Sequence, residues 1–140
     1  MTPVKKAGIK LHTGVDVLGL PHIMAVTTAD KTDRDGAVDM IRHYHGATNH
    51  LFRLKKVLVD GGYSGENFAS AIKSVCGAEV EVVKRSELHQ FVVLPKRWIV
   101  ERTFGWLDKC RRLWKNCERK LHNTLQMATL AFIRLILNRY

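Results

Sequence analysis

The sequence predicts one domain of mixed α/β class, spanning residues 1–140. Two apolar alternating runs near the start, within residues 8–29, indicate an antiparallel hairpin. A strand–helix–strand pattern over residues 56–85 indicates a parallel crossover, and two long amphipathic stretches follow it. The chain has 140 residues, of which 46% are hydrophobic, enough for one core.

The first predicted unit is the hairpin. Residues 8–18 alternate apolar and polar side chains, and residues 22–29 are rich in β-branched residues. The segment 19–21, Gly-Leu-Pro, supplies the tight turn between them. A short helix should follow, with Asp35 as its N-cap, and then a polar loop that contains His43 and His45.

The second unit is the crossover. A β-branched strand at 56–59 should deliver Asp60 to the open edge of the sheet, where three glycines turn the chain. Residues 66–75 then carry apolar side chains at helical spacing, Gly77 is placed as a C-cap, and residues 79–85 form the second strand.

Two helices complete the chain. Residues 98–120 contain no proline, and apolar residues recur there every seven positions, which predicts one long helix with Glu101 turned away from the apolar side. Residues 123–140 predict a second, apolar helix that closes the core.

The charge balance favours a polyanionic partner. The sequence has 23 Lys and Arg residues against 13 Asp and Glu residues, a formal net charge of +10. Nucleic acid is the polyanion that such a surface most often binds, through neutralised phosphates. No apolar stretch is long enough for an export signal or a membrane span, and the three cysteines form no CxxC pair, so we expect a cytoplasmic protein without a membrane partner.

Asp60 and Glu101 are the candidate chemical residues. A carboxylate at a strand end and another on a helix can together bind Mg²⁺, which prefers oxygen ligands. Spacing alone leaves a second interpretation open, in which Asp60 caps the following turn and Glu101 pairs with Arg97 or Arg102.

Several blocks of the sequence resemble one family. They are DGGYSG (60–65), VEVVKR (80–85), FVVLPKRWIVERTFGWL (91–107), CRRL (110–113), VDVLGLP (15–21) and DRDGA (33–37). Together they resemble bacterial insertion-sequence transposases of the DDE type, the insertion sequence 5 group. The resemblance implies an RNase H-like mixed sheet with long C-terminal helices, and metal-dependent DNA strand cleavage and transfer. It makes Asp60 and Glu101 the second and third catalytic and metal-binding acids, with Mg²⁺ or Mn²⁺ as the metal.

The chain also differs from the family that it resembles, in the position of the first acid. The family's first acid lies on a first strand upstream of the predicted hairpin, so we expect an N-terminally truncated, incomplete catalytic domain. Asp16 could substitute for that acid, but it matches a different family position. An upstream transposase polypeptide and a homo-oligomer are the implied partners besides the DNA of transposon ends and target. A non-catalytic, regulatory DNA-binding remnant is the alternative function.

Basic residues around Glu101 are the candidate DNA contacts. The predicted set is Arg97, Arg102, Lys109, Arg111, Arg112 and Lys115. Of these, Arg97 fits the family's helix signature, whereas Leu94 and Asp108 stand where that signature has Tyr and Lys.

Overall fold

The fold is mixed α/β, as predicted. A computed structural model describes residues 8–47, 54–83, 97–110 and 118–138. In chain order the elements are β1 (Ile9–Val15), β2 (Pro21–Thr28), α1 (Asp33–Ala47), β3 (Lys56–Asp60), a 3₁₀ turn (Gly61–Tyr63), α2 (Glu66–Cys76), β4 (Glu79–Val83), α3 (Arg97–Asp108) and α4 (Leu121–Leu137). None of the helices in these ranges is long and apolar enough to cross a bilayer.

The predicted hairpin is confirmed. Strands β1 and β2 pair antiparallel, with Leu11 opposite Val26 and Gly14 opposite Ile23, and the register shifts after Gly14. Because side chains alternate across a strand, the hairpin presents one face to α1 and the other to α3 and α4.

The predicted crossover is also confirmed. Strands β3 and β4 pair in parallel, with Val57 opposite Val80 and Val59 opposite Val82. Helix α2 connects them, and its C-cap is Gly77, as predicted, whose N–H donates to the carbonyl of Lys73.

The prediction of one mixed sheet is not matched by the described strands. They form two separate two-stranded sheets, β1–β2 and β3–β4. Within the described ranges no strand hydrogen-bonds to both pairs, and the two sheets meet through side chains instead, because Ile23, Val57 and Val59 share one core.

Helix α1 is longer than predicted, and its cap is a different residue. It has 15 residues, so His43 and His45 lie on the helix rather than in a loop. The hydroxyl of Thr32 accepts a hydrogen bond from the N–H of Asp35 at 3.1 Å, and the same hydroxyl donates to the Asp35 carboxylate at 2.6 Å. Thr32 is therefore the capping residue, and Asp35 lies inside the first turn.

The prediction of one helix over residues 98–120 is wrong. Helix α3 ends at Asp108, and residues 109 and 110 form a turn and a bend. The N–H of Cys110 donates to the carbonyl of Leu107 at 2.9 Å, three residues back, which tightens the last turn and stops the helix. Of the described positions of the seven-residue apolar repeat, Leu107 is buried, whereas Val100 is 39% and Leu121 37% exposed, so the repeat does not mark one continuous buried stripe.

Two hydrophobic cores lie on opposite faces of the hairpin. The first joins the hairpin to α1, α2, β3 and β4, and is formed by Ile23, Met40, Ile41, Phe68, Ile72 and Ala78. The second joins it to α3 and α4, and is formed by Met24, Leu107, Ala128, Ala131 and Phe132. Adjacent residues of β2, Ile23 and Met24, therefore enter different cores.

A buried histidine lies between the hairpin and α1. His12 is 6% exposed, and its ring nitrogen Nε2 is 2.9 Å from the hydroxyl of Thr27. A Cβ on Gly36 would lie 2.4 Å from that same nitrogen, closer than any real contact. Glycine at position 36 is therefore what lets α1 pack directly over the imidazole.

This histidine should make stability depend on pH. Burial lowers the pKa of His12, and Lys10 and Lys31 lower it further against the opposing effect of Asp33. The unfolded chain therefore binds the proton more tightly than the folded one, and the free energy of unfolding should fall as the pH drops below the ordinary histidine pKa of about 6.5.

The measurement is urea unfolding at several pH values between 7.5 and 5, for the wild type and for His12→Asn. The difference between the two free energies should change in this window, with the wild type losing more stability in acid. Parallel curves for the two proteins would contradict the prediction.

Candidate functional site

Asp60 lies at the carboxyl end of β3, as predicted. Its side chain is exposed, and its backbone is extended where the 3₁₀ turn begins. One carboxylate oxygen, Oδ1, accepts a hydrogen bond from the N–H of Gly62 at 3.0 Å. The turn-capping interpretation is thus correct for one oxygen. The exposure of the side chain leaves the carboxylate accessible to a cation.

The turn that carries Asp60 is held on two sides. Tyr63 packs on Phe68 with ring centroids 5.5 Å apart, which ties the turn to the first core. The Nε–H of Arg34, at the start of α1, donates to the carbonyl of Gly62 at 2.9 Å. Burial raises the pKa of Tyr63, and the charges of Asp33 and Asp60 raise it further, so this phenol stays protonated at neutral pH.

Glu101 is exposed on α3. Ile99, Thr103 and Leu107 are the buried residues of the same helix. At about 100° per residue, Glu101 lies on the side opposite Ile99 and Thr103. The structure therefore agrees with the prediction that this carboxylate points away from the apolar side of the helix.

Arg102 is engaged within the protein. Its guanidinium lies between two indole rings, 4.5 Å from the centroid of Trp98 and 4.8 Å from that of Trp106. Its Nη2 donates to the carbonyl of Leu18 at 2.6 Å. Such contacts use the cation for packing, so the DNA-binding role predicted for Arg102 stays a prediction that these contacts do not favour.

The other predicted DNA contacts fall at or beyond the end of α3. Arg97 is the first residue of the helix, and Lys109 is exposed just past its last residue. Arg111, Arg112 and Lys115 lie outside the described residues.

Asp16 shapes the turn between β1 and β2. Its Oδ1 accepts from the N–H of Leu18 at 2.8 Å and from that of Leu20 at 3.0 Å, and its Oδ2 lies 3.1 Å from Nε2 of His22. Burial acts to raise the pKa of Asp16, but the hydrogen bonds from His22, Leu20 and Leu18 outweigh burial, and the net shift is downward. From the sequence, Asp16 was considered only as a substitute catalytic acid, and its role in shaping the turn was not predicted. An Asp two residues before the donor N–H is the signal of such a turn.

The two candidate acids are of the right chemical type for a divalent cation, but they lie on different parts of the fold. Asp60 belongs to the crossover with α2, and Glu101 to the helix that packs against β1 and α4. Among the residues with assigned positions, no three His, Cys, Asp or Glu side chains form a group that could hold a metal. The described part of the chain therefore supplies donors without an assembled metal centre.

Comparison of the sequence with known families gives the class of protein to which this chain belongs. The chain belongs to the transposase DDE domain family, whose model matches residues 3–136. Among curated proteins it is similar to one from Burkholderia cepacia assigned as a transposase for insertion sequence element IS402. The two are 34% identical over 119 residues, which cover 82% of this chain and 56% of the relative. The chain thus spans little more than half the length of that protein. No solved structure matches the chain significantly.

Proposed function

We propose that this chain is part of a bacterial insertion-sequence transposase of the insertion sequence 5 group. It binds the DNA of transposon ends and target, and takes part in metal-dependent strand cleavage and transfer. The observation that carries the proposal is an exposed carboxylate, Asp60, fixed at the end of a parallel strand in a chain of the DDE family.

In this proposal Asp60 and Glu101 are the second and third acids of the site. Their carboxylates would hold Mg²⁺ or Mn²⁺, and two such metals would stabilise the attacking and leaving oxygens in phosphoryl transfer. The N–H of Gly62 fixes one oxygen of Asp60, so a cation would bind chiefly through the other. We assign the remaining acid to a segment outside these 140 residues, on an RNase H-like fold completed by a further strand. A homo-oligomer in the cytoplasm is the assembly that we propose.

The contacts to DNA would come from basic side chains near the ends of α3 and α4. Lys109 is exposed after α3, and Arg119 and Lys120 are exposed just before α4. With a net charge of +10, the chain has the excess of cations that phosphate neutralisation requires.

The test combines binding and cleavage of duplex DNA that carries the ends of the insertion sequence encoding this chain. If about six phosphates are contacted, the affinity should fall roughly 10³-fold between 50 and 200 mM salt. Nicking at the transposon end should require Mg²⁺ or Mn²⁺ and should increase when an upstream Asp-containing transposase segment is added. A salt-independent affinity would overturn every nucleic-acid proposal for this protein.

A non-catalytic, regulatory DNA-binding role is the second candidate. It needs only the net positive charge and the exposed basic residues, without an assembled metal centre. Salt-dependent binding without nicking, with and without the added segment, would favour it over the first proposal.

A further inference from the structure

Helix α3 is fastened to the turn between β1 and β2 by two side chains that follow Glu101. The hydroxyl of Thr103 donates to the carbonyl of Gly19 at 2.8 Å, and Nη2 of Arg102 donates to the carbonyl of Leu18 at 2.6 Å. Each bond joins residues 84 positions apart in the sequence. Arg102 and Thr103, which directly follow Glu101, are thus held by residues outside α3.

Thr103 is the central residue of this attachment. Its side chain is fully buried, and its hydroxyl also lies 3.0 Å from the carbonyl of Ile99 one turn earlier in the helix. A hydroxyl has one hydrogen to donate, and here that hydrogen faces one carbonyl of the turn and one of the helix. Removing it leaves the buried carbonyl of Gly19 without this donor, which makes the contact costly to lose.

The turn is also held by hydrogen bonds of its own, which do not involve α3. The Asp16 carboxylate accepts two backbone N–H groups of the turn, and the N–H of Gly19 donates to the carbonyl of Asp16 at 3.0 Å. Gly19 has φ +80°, and a Cβ there would lie 3.0 Å from Nη2 of Arg102 and 3.1 Å from the hydroxyl of Thr103. Glycine is therefore required both for the backbone conformation and for the approach of the helix.

Arg102 makes the second contact that restricts the rotation of α3. Its guanidinium is stacked between Trp98 and Trp106, one turn before and one turn after it on the same helix. Because the stack fixes the direction of the guanidinium, the hydrogen bond to Leu18 sets the rotation of the helix about its axis.

We propose that the turn at residues 16–20 is a latch that sets the rotation of α3, and that Thr103, Arg102 and Asp16 are positioning residues for Glu101. This inference rests on the proposed catalytic role of Glu101. A side chain lies about 5–6 Å from the axis of a helix, so a rotation of about 20° would displace the carboxylate by about 2 Å. Displacements near 1 Å are enough to slow an enzyme about 100-fold.

The test compares Thr103→Val, which removes the hydroxyl at nearly constant volume, with Thr103→Ser, which keeps it. Thr129→Val is the matched control, because Thr129 donates to the carbonyl of Leu125 one turn earlier, at 2.9 Å, but is exposed on α4. Three quantities are measured well below the melting temperature of each variant: amide hydrogen exchange, the affinity for transposon-end DNA, and the Mn²⁺ dependence of nicking.

Thr103→Val should speed amide exchange in α3 and the turn at residues 16–20, with exchange in α2 unchanged. It should also slow nicking about 10- to 100-fold and raise the half-saturating Mn²⁺ concentration, with DNA affinity unchanged. Thr103→Ser and Thr129→Val should match the wild type. A residue that only supports stability would leave the nicking rate of the folded protein unchanged.

If amide exchange in α3 of Thr103→Val matched that of the wild type, the latch would be overturned, whatever the nicking rate. Altered exchange with a normal nicking rate would overturn its link to Glu101. If wild-type protein does not nick DNA even with the upstream segment, the proposed catalytic function and the role assigned to the latch both fail, and exchange still decides whether the turn holds α3. If Thr103→Val does not fold, Arg102→Met, which removes the bond to Leu18, takes its place, with amide exchange and the nicking rate at saturating DNA as its readouts.

Discussion

Asp60→Asn and Glu101→Gln are each expected to slow transposon-end nicking at least about 100-fold. Even the outer partners of metal ligands cost 10- to 100-fold in affinity or activity when they are removed, and a direct ligand should cost no less. The neutral amide keeps the size of the carboxylate and removes the charge that would hold a divalent cation. The rate is measured with a saturating concentration of the protein in Mn²⁺, with the upstream segment present.

The fold should survive both changes. The side-chain oxygen of Asn can accept the N–H of Gly62 as Asp60 does, and Glu101 is exposed on its helix. Circular dichroism and the melting temperature should therefore stay close to those of the wild type.

Two surface acids provide matched controls. Asp108→Asn changes an exposed carboxylate at the end of α3, and Glu66→Gln changes one at the start of α2. Neither should alter nicking by more than a few-fold. If Asp60→Asn nicks DNA as fast as Asp108→Asn, Asp60 is not a catalytic residue and the proposed site is wrong.

Ile72→Ala is expected to cause the largest loss of stability, about 3–4 kcal/mol. Ile72 is the fully buried residue of α2 and belongs to the first core, where it packs with Phe68 and Ala78. Truncating a buried Ile removes apolar area and leaves a cavity, and such changes cost about 2–5 kcal/mol. The free energy of unfolding in urea gives the measurement.

Leu130→Ala is the control for this substitution. Leu130 is 58% exposed on α4, so its truncation should cost less than about 1 kcal/mol. Equal losses for the two variants would show that α2 is not packed into a core as described.

The fold was predictable where local pattern and global packing agree. Period-two alternation identifies the hairpin at residues 8–29, and the β-branched run before Asp60 with Gly77 after the helix identifies the crossover. The end of α3 at Asp108 was not predictable, because no Gly or Pro marks it and the apolar repeat continues through it.

The candidate site was predictable in part. The strand end and the glycines after it identify Asp60 by local chemistry, and the structure places it there. The latch depends on contacts between Thr103 and Gly19, which are distant in sequence, and nothing in the spacing of either segment indicates the other. Arg102 looks like a phosphate ligand from its charge alone, whereas its neighbours Trp98 and Trp106 engage it within the fold.

Strand β2 has a consequence for how the protein unfolds. Ile23 packs in one core, and the next residue, Met24, packs in the other. If β2 separated from one core, the other core would therefore become exposed as well. The two halves are thus thermodynamically linked through one strand, and they should melt as a single cooperative unit rather than in two steps. Global unfolding should therefore expose both cores together, and with them Asp60 and Glu101, which the two halves carry separately.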